Sequence, residues 1–352
     1  ADGSVAIGYD AGFALTSGAE NTAIGYEAMK TNTTGVRNTV IGYEAMNDTD
    51  AGSTSSDSDD NTFIGAYAGS GTWANTKSEF NVGVGNYTFN GNMDGGNYNT
   101  ALGYAALRAI TTADFNVGIG TGAGDALTTG HSNVAIGYDA LGELTTGDYN
   151  IAIGTGAMNG TNAGVNSNNS THNIFMGLNA GGGDWADVAS EYNVAIGNYA
   201  MDAVLNGALY NIAMGYGSLG ALTTADSNVS IGYVAGTNLT TGYSNVLIGR
   251  AAAAAATDMT NTVIIGHYAG YSINTNNSNG SVLIGMEAGT NQTGGVNTFI
   301  GYNAGRNNRA GTYNTTLGFE AGMHATASSN TFMGYQAGKG GTTSAPYSSG
   351  GS

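Results

Sequence analysis

The chain contains no cysteine, a single proline (Pro346) and few charges, 9% of its residues. Each scarcity excludes something. Without cysteine there is no disulfide, no thiolate nucleophile and no Cys-ligated metal. Basic residues are rarer still: eight Lys and Arg stand against 25 Asp and Glu, for a net charge of −17. Nothing in so acidic a chain attracts phosphates, so nucleic acid and anionic membrane are not expected partners. There is no run on the order of 18 apolar residues, so no membrane contact is expected within the chain. No charged-then-apolar leader precedes Gly8, and the sequence starts almost inside a repeat, which points to a processed protein or one piece of a longer chain.

What the chain does have is glycine, 60 residues of it, placed periodically. A box typified by Asn133-Val-Ala-Ile-Gly-Tyr-Asp-Ala-Leu141 recurs nineteen times, with central glycines running from Gly8 to Gly334. With that glycine as position zero, sixteen copies carry Asn at −4, seventeen carry Ala at +3, and all carry an aliphatic residue at −1. The spacings are 17, 17, 23, 20, 18 and 17, then the same six again, then 17, 17, 19, 16, 17 and 16. A block of 112 residues is therefore duplicated, with a shortened third copy, and Trp73 falls on Trp185. The array occupies residues 1–338 without ordinary domain boundaries, and 339–352 reads as a flexible linker.

Within the box the hydrophobic period is two, which calls for a strand. One strand every 17 or so residues, always in the same direction, predicts an all-β fold, a parallel β-solenoid of about nineteen coils. Segments such as Leu127-Thr-Thr-Gly130 are its turns. Val134 and Ile136, at −3 and −1, are expected to fill the coil. Ala135, at −2, should then face a second sheet or a neighbouring chain. Because −2 becomes large elsewhere (Phe63, Leu247, Phe299), both faces must be buried, and a parallel homotrimer is the economical solution. The Asn at −4, including Asn21, Asn38, Asn116, Asn133, Asn150 and Asn228, should stack into a hydrogen-bonded ladder.

Boxes such as Asn21-Thr-Ala-Ile-Gly-Tyr-Glu-Ala28 resemble the head repeats of trimeric autotransporter adhesins, and are similar to repeats in tail-fibre-type proteins of phages and bacteria. The resemblance covers nearly the whole chain. It implies a left-handed parallel β-roll of three associated chains, outside the cell or on a virion, with a role in attachment to a host-surface glycan or protein. The coils here are longer than the adhesin heads' turns, and the sequence shows no membrane anchor, stalk or self-cleaving chaperone domain.

Candidate chemistry is sparse. Asp48, Asp50, Asp57, Asp59 and Asp60 share one loop, and oxygen-rich loops can hold Ca²⁺. The duplicate loop replaces them with Gly160, Asn162, Asn169, Thr171 and His172, so a solvated loop is the preferred reading and no cofactor is expected. Asp57, Asp59 and Asp60 remain the metal candidates. The glycines of Gly118-Ile-Gly-Thr-Gly-Ala-Gly124 belong to the repeat, with no strand–helix unit to make them a nucleotide loop. His131, His172, His267 and His324 are too scattered for zinc. Trp73 and Trp185 are the candidate receptor contacts, set against the plainer reading that each covers its own loop. The expected function is a non-enzymatic extracellular fibre or adhesin. The alternatives are a tailspike-like polysaccharide depolymerase, for which no carboxylate pair stands out, and an ice-binding solenoid built on the Thr-Thr-Gly turns.

Overall fold

A computed structural model describes residues 3–49, 54–161, 166–273 and 278–340. The chain is an all-β parallel β-solenoid of about nineteen turns and divides into two compact units, Ala1–Met176 and Gly177–Ser352. The first unit holds β1 (Val5–Ile7), β2 (Thr22–Ile24), β3 (Thr39–Ile41), β4 (Thr62–Ile64), β5 (Val82–Val84), β6 (Thr100–Leu102), β7 (Val117–Ile119), β8 (Val134–Ile136), β9 (Ile151–Ile153) and β10 (Ile174–Met176). The second holds β11 (Val194–Ile196), β12 (Ile212–Met214), β13 (Val229–Ile231), β14 (Val246–Ile248), β15 (Val263–Ile265), β16 (Val282–Ile284), β17 (Thr298–Ile300), β18 (Thr315–Leu317) and β19 (Thr331–Met333). Helix among the described residues is confined to two short 3₁₀ turns, Ser55–Asp57 and Ser167–Asn169. The expected linker at 339–352 lies almost entirely outside the described residues.

Within each unit, consecutive strands pair in parallel with like box positions facing: Val134 lies opposite Ile151, Ala135 opposite Ala152, and Ile136 opposite Ile153. The hydrogen bonds extend past the three-residue strand. Gly137 N donates to Ile119 O (2.8 Å), Asp139 N to Thr121 O (3.0 Å) and Leu141 N to Ala157 O (3.0 Å). The chain turns at the box glycine, whose φ lies between +122° and +147° in every copy. A Cβ at Gly137 would also stand 2.6 Å from the carbonyl oxygen of Gly154 in the next coil. Conformation and close approach together reserve the position for glycine.

The inside and the outside are the reverse of the sequence expectation. Ala135 is buried, whereas Val134 and Ile136 are half-buried on the outer surface, and the same pattern recurs from β2 to β19. The reason is the narrow interior, where position −2 meets position +4 across the coil. Past the first coil, where Ala6 faces Gly12, an alanine at −2 goes with a long residue at +4: Ala23 with Met29, Ala101 with Leu107, Ala135 with Leu141, all buried. Where −2 is large, +4 shrinks to Gly or Ala: Phe63 with Gly69, Leu247 with Ala253, Phe299 with Gly305. The fit is tight, since a Cβ at Gly305 would stand 2.3 Å from the Phe299 ring. Leu144, which opens a Thr-Thr-Gly turn, adds a third inward side chain. The β-branched residues at −3 and −1 favour the strand without belonging to its core.

This pairing can be tested by exchange. Ala135→Phe should overpack its coil at a cost of about 1–3 kcal/mol, and Leu141→Gly should leave a cavity costing about 2–5 kcal/mol. The double variant recreates the Phe63/Gly69 combination and should recover at least about 1 kcal/mol of the summed loss in urea unfolding. Strictly additive losses would show that the two positions do not fill one space.

Candidate functional site

The asparagines at −4 form a buried ladder. Asn116 Oδ1 accepts from Asn133 N (2.9 Å) and Asn133 Nδ2 (3.1 Å), and Asn133 Oδ1 accepts likewise from Asn150 (2.9 and 3.2 Å). The amides also donate to the carbonyls closing their turns, as Asn21 Nδ2 does to Gly35 O (2.7 Å) and Asn133 Nδ2 to Gly147 O (2.9 Å); Asn314 Nδ2 is an exception. Asn21 and Asn38 are joined at 2.9 and 3.2 Å, and Asn228 passes the ladder to Asn245 at 3.1 and 2.9 Å. The run changes hands at Thr262 and Ser281, where Gln292 Nε2 reaches Ser281 Oγ at 2.8 Å.

A second ladder, which the repeat motif does not announce, runs at position −6. Asp114 Oδ1 accepts from Asn97 N (2.7 Å), His131 Nδ1 from Asp114 N (3.0 Å), and Asp148 Oδ1 from His131 N (2.6 Å). Along this run the position is Asn, Asp, His and Asp, while Val36 and Leu209 hold it elsewhere, so the ladder's signal is a local run of acceptors rather than residue identity. The Thr-Thr-Gly turns make a third: Thr111 Oγ1 donates to Thr128 O and Thr128 Oγ1 to Thr145 O, each at 3.0 Å. Those hydroxyl protons are committed to the next coil.

The tryptophans need a correction. Trp73 and Trp185 are both fully buried, and each indole Nε1 donates to a carbonyl of its own turn, Gly69 O or Gly181 O, at 2.9 Å. Trp73 meets Phe63 edge-on with centroids 5.9 Å apart, and Phe89 closes the cluster against Phe63 at 5.7 Å. These rings fill the longer coil and offer no surface to a receptor. The candidate metal carboxylates are also engaged. Asp60 holds Arg37 through both oxygens (2.6 and 2.7 Å), and Asp59 Oδ1 accepts from Val36 N at 2.7 Å. Asp57 lies in the 3₁₀ turn, and Asp50 is outside the described residues. Among the described residues no three His, Cys, Asp or Glu side chains come together as a metal site, and no helix is long and apolar enough to cross a membrane.

Two kinds of surface are regular. The outward side chains at −3 and −1 make an uncharged strip along each unit, with Ile64 37% and Leu102 49% exposed. Aromatic rings on the coil corners stack from turn to turn: Tyr9, Tyr26 and Tyr43 at 5.3 and 5.1 Å, and Phe80, Tyr98 and Phe115 at 4.9 and 5.1 Å. Their hydrogen-bonded carboxylate neighbours matter too, for Glu44 pushes the Tyr43 hydroxyl up to about 12. Since each stacked ring covers the face of the next, these rows present edges to solvent. No protein-family model matches the chain. No curated protein matches it significantly either. Its own geometry must therefore carry the functional argument.

The ladder and the surface ion pair should respond very differently to deletion. Asn133→Ala strips partners from buried groups in both adjacent coils, at about 1–3 kcal/mol for each group left unsatisfied. Arg37→Ala removes a pair whose arginine is half exposed and should cost far less than the loss of a buried ladder member. Arg37 holds the Asp60 carboxyl below its ordinary 3.8, so the pair's contribution is full above that value and fades as pH falls through the lower, folded value. Thermal melts of wild type and Arg37→Ala should therefore converge on acidification. A gap that persists in strong acid would assign Arg37 a different role.

Proposed function

We propose that the chain is a non-enzymatic structural segment of an extracellular fibre or adhesin, whose copies associate as a parallel homotrimer through the outer strand faces. The observation that supports this reading is the uncharged apolar strip at −3 and −1, repeated in register from coil to coil. Covering half of an isoleucine side chain is worth about 1 kcal/mol. Association itself costs on the order of 4–15 kcal/mol. One or two coils could not meet that cost, whereas a strip of ten coils could. The strip would thus act as an interface only along its length, which favours side-by-side chains. The resemblance of the boxes to adhesin-head and tail-fibre repeats points the same way and supplies the extracellular, attachment side of the proposal. The inverted core improves the case. An outer face of Thr, Val and Ile, with Leu or Met at five −1 positions, has no interior role, yet it is mostly β-branched and free of charge.

An ice-binding surface is the second reading, moved from the turns to this same face. Thr22, Thr39 and Thr62 stand in one register column of the first unit, and Thr298, Thr315 and Thr331 in one column of the second. Rows of threonine beside isoleucine at strand spacing could order water, provided the face is free.

Solution mass separates the two. Sedimentation equilibrium should give a trimer, and the Ile119→Glu/Ile136→Glu variant should lower the mass while leaving the far-ultraviolet circular dichroism intact. A monomeric wild type would sink the trimer, and thermal hysteresis in that monomer would establish the second reading instead.

A further inference from the structure

The acidic character of the chain reverses in one place. Between residues 250 and 309 there are three arginines, Arg250, Arg306 and Arg309, and only two carboxylates, Asp258 and Glu287. Arg306 and Arg309 follow β17 and Arg250 follows β14; on the coils that carry β15, β16 and β17 the surface is hollowed into two adjoining depressions. The first, about 270 Å³, is lined by Tyr268, Tyr271, Glu287, Thr290 and Arg306. The second, about 240 Å³, is lined by Ser272, Asn291, Thr293 and Arg309. They adjoin because Tyr271 and Ser272, and again Thr290 and Asn291, are consecutive residues.

The groups differ between the two hollows. In the first, Tyr271 meets Tyr268 at 90° with centroids 5.1 Å apart, a right-angled aromatic wall lining the hollow. Arg306 Nε sits 2.9 Å from Glu287 Oε2, placing a donor fork beside an acceptor on the floor of the hollow. Arg250 lies over Tyr268 with its guanidinium carbon 5.5 Å from the ring centroid, adding positive charge behind the wall. In the second hollow Arg309 is exposed and has no ion pair among the described residues, and its neighbours are hydroxyls and an amide. An aromatic wall suits the C–H face of a sugar ring, the Glu287–Arg306 pair suits adjacent ring hydroxyls, and an unpaired guanidinium suits a carboxylate.

We propose that this edge binds an acidic glycan: one sugar ring lies against Tyr271 with its hydroxyls on Glu287 and Arg306, and the carboxylate of the adjoining uronate residue pairs with Arg309. The proposal rests on the attachment reading and names the chemistry the shaft would attach to. The net charge of −17 does not forbid it, because charges beyond about 8 Å are largely screened at physiological salt and the local balance is positive.

Isothermal titration of the full chain with tetragalacturonate, and with its methyl ester, tests this. Wild type should bind the acid at least tenfold more tightly than the ester, and more weakly as salt is raised. Arg309→Ala and Tyr271→Ala should each lose at least tenfold in affinity with unchanged circular dichroism. Arg108→Ala, which lines neither hollow and is paired with Asp125, serves as the control and should bind as wild type does. Equal binding of acid and ester, no binding of tetragalacturonate by wild type, or wild-type affinity in both variants would overturn the site. A parallel array of neutral glycans and host-surface proteins distinguishes the two failures. Adhesion there without uronate binding removes this site and leaves attachment standing, whereas no adhesion to any surface removes attachment as well.

Discussion

Everything in this structure depends on how closely one coil lies on the next at the box glycine. There the chain turns with a positive φ, and the carbonyl of the following coil's glycine occupies the space a side chain would need. That approach sets the strand spacing, and the spacing sets everything that stacks. Asparagine amides one coil apart can then bond each other and the backbone together, acceptor to donor, with no member left unpaired at the middle of the run. A larger residue at the turn would separate the coils locally and break the ladder beside it. Position zero and position −4 are thus two parts of one constraint.

Within that frame the interior is a series of small compartments rather than a shared core. Each coil encloses its own pair at −2 and +4, and neighbours compensate when a compartment is underfilled. Leu107 shows this: a Cβ built at Gly118 or at Gly124 in the next coil would come within 2.7 or 2.8 Å of its side chain, so one leucine fills the space that two glycines leave. The aromatic group of Phe63, Trp73 and Phe89 is the same arrangement on a larger scale, with Gly69 and Gly83 making room. Stability here is local and additive along the chain, as expected of a quasi-one-dimensional array.

Much of the fold could be read from residue spacing, because a period repeated many times leaves little choice. The strands, their parallel direction, their in-register pairing and the asparagine ladder all follow from position within the box. The side of the strand that faces inward does not. Alternation says only that −2 differs from −3 and −1, and β-branched residues at the latter two suit a core or an exposed strand equally well. The signal that decides it lies between positions, in the inverse sizes of −2 and +4, as in Ala135 with Leu141 and Phe299 with Gly305. The second ladder was hidden for another reason, since Asn97, Asp114 and His131 share an acceptor rather than an identity. The burial of Trp73 depends on Phe63 ten residues earlier, and the arginine-lined edge is assembled from three coils, so no local motif marks either.

The complementarity of −2 with +4, and of one coil's overhang with the next coil's gap, also limits how such a gene can grow. Copying one coil would set a large interior residue beside another and leave a void elsewhere, even though every strand would still pair. Copying a block whose two ends already match carries all the internal fits along unbroken. The repeated 112-residue block, Trp73 recurring as Trp185 and Met46 as Met158, is a unit of that kind. By this logic the heritable module is the six-coil set, and the single box, though more conspicuous to the eye, is only its period.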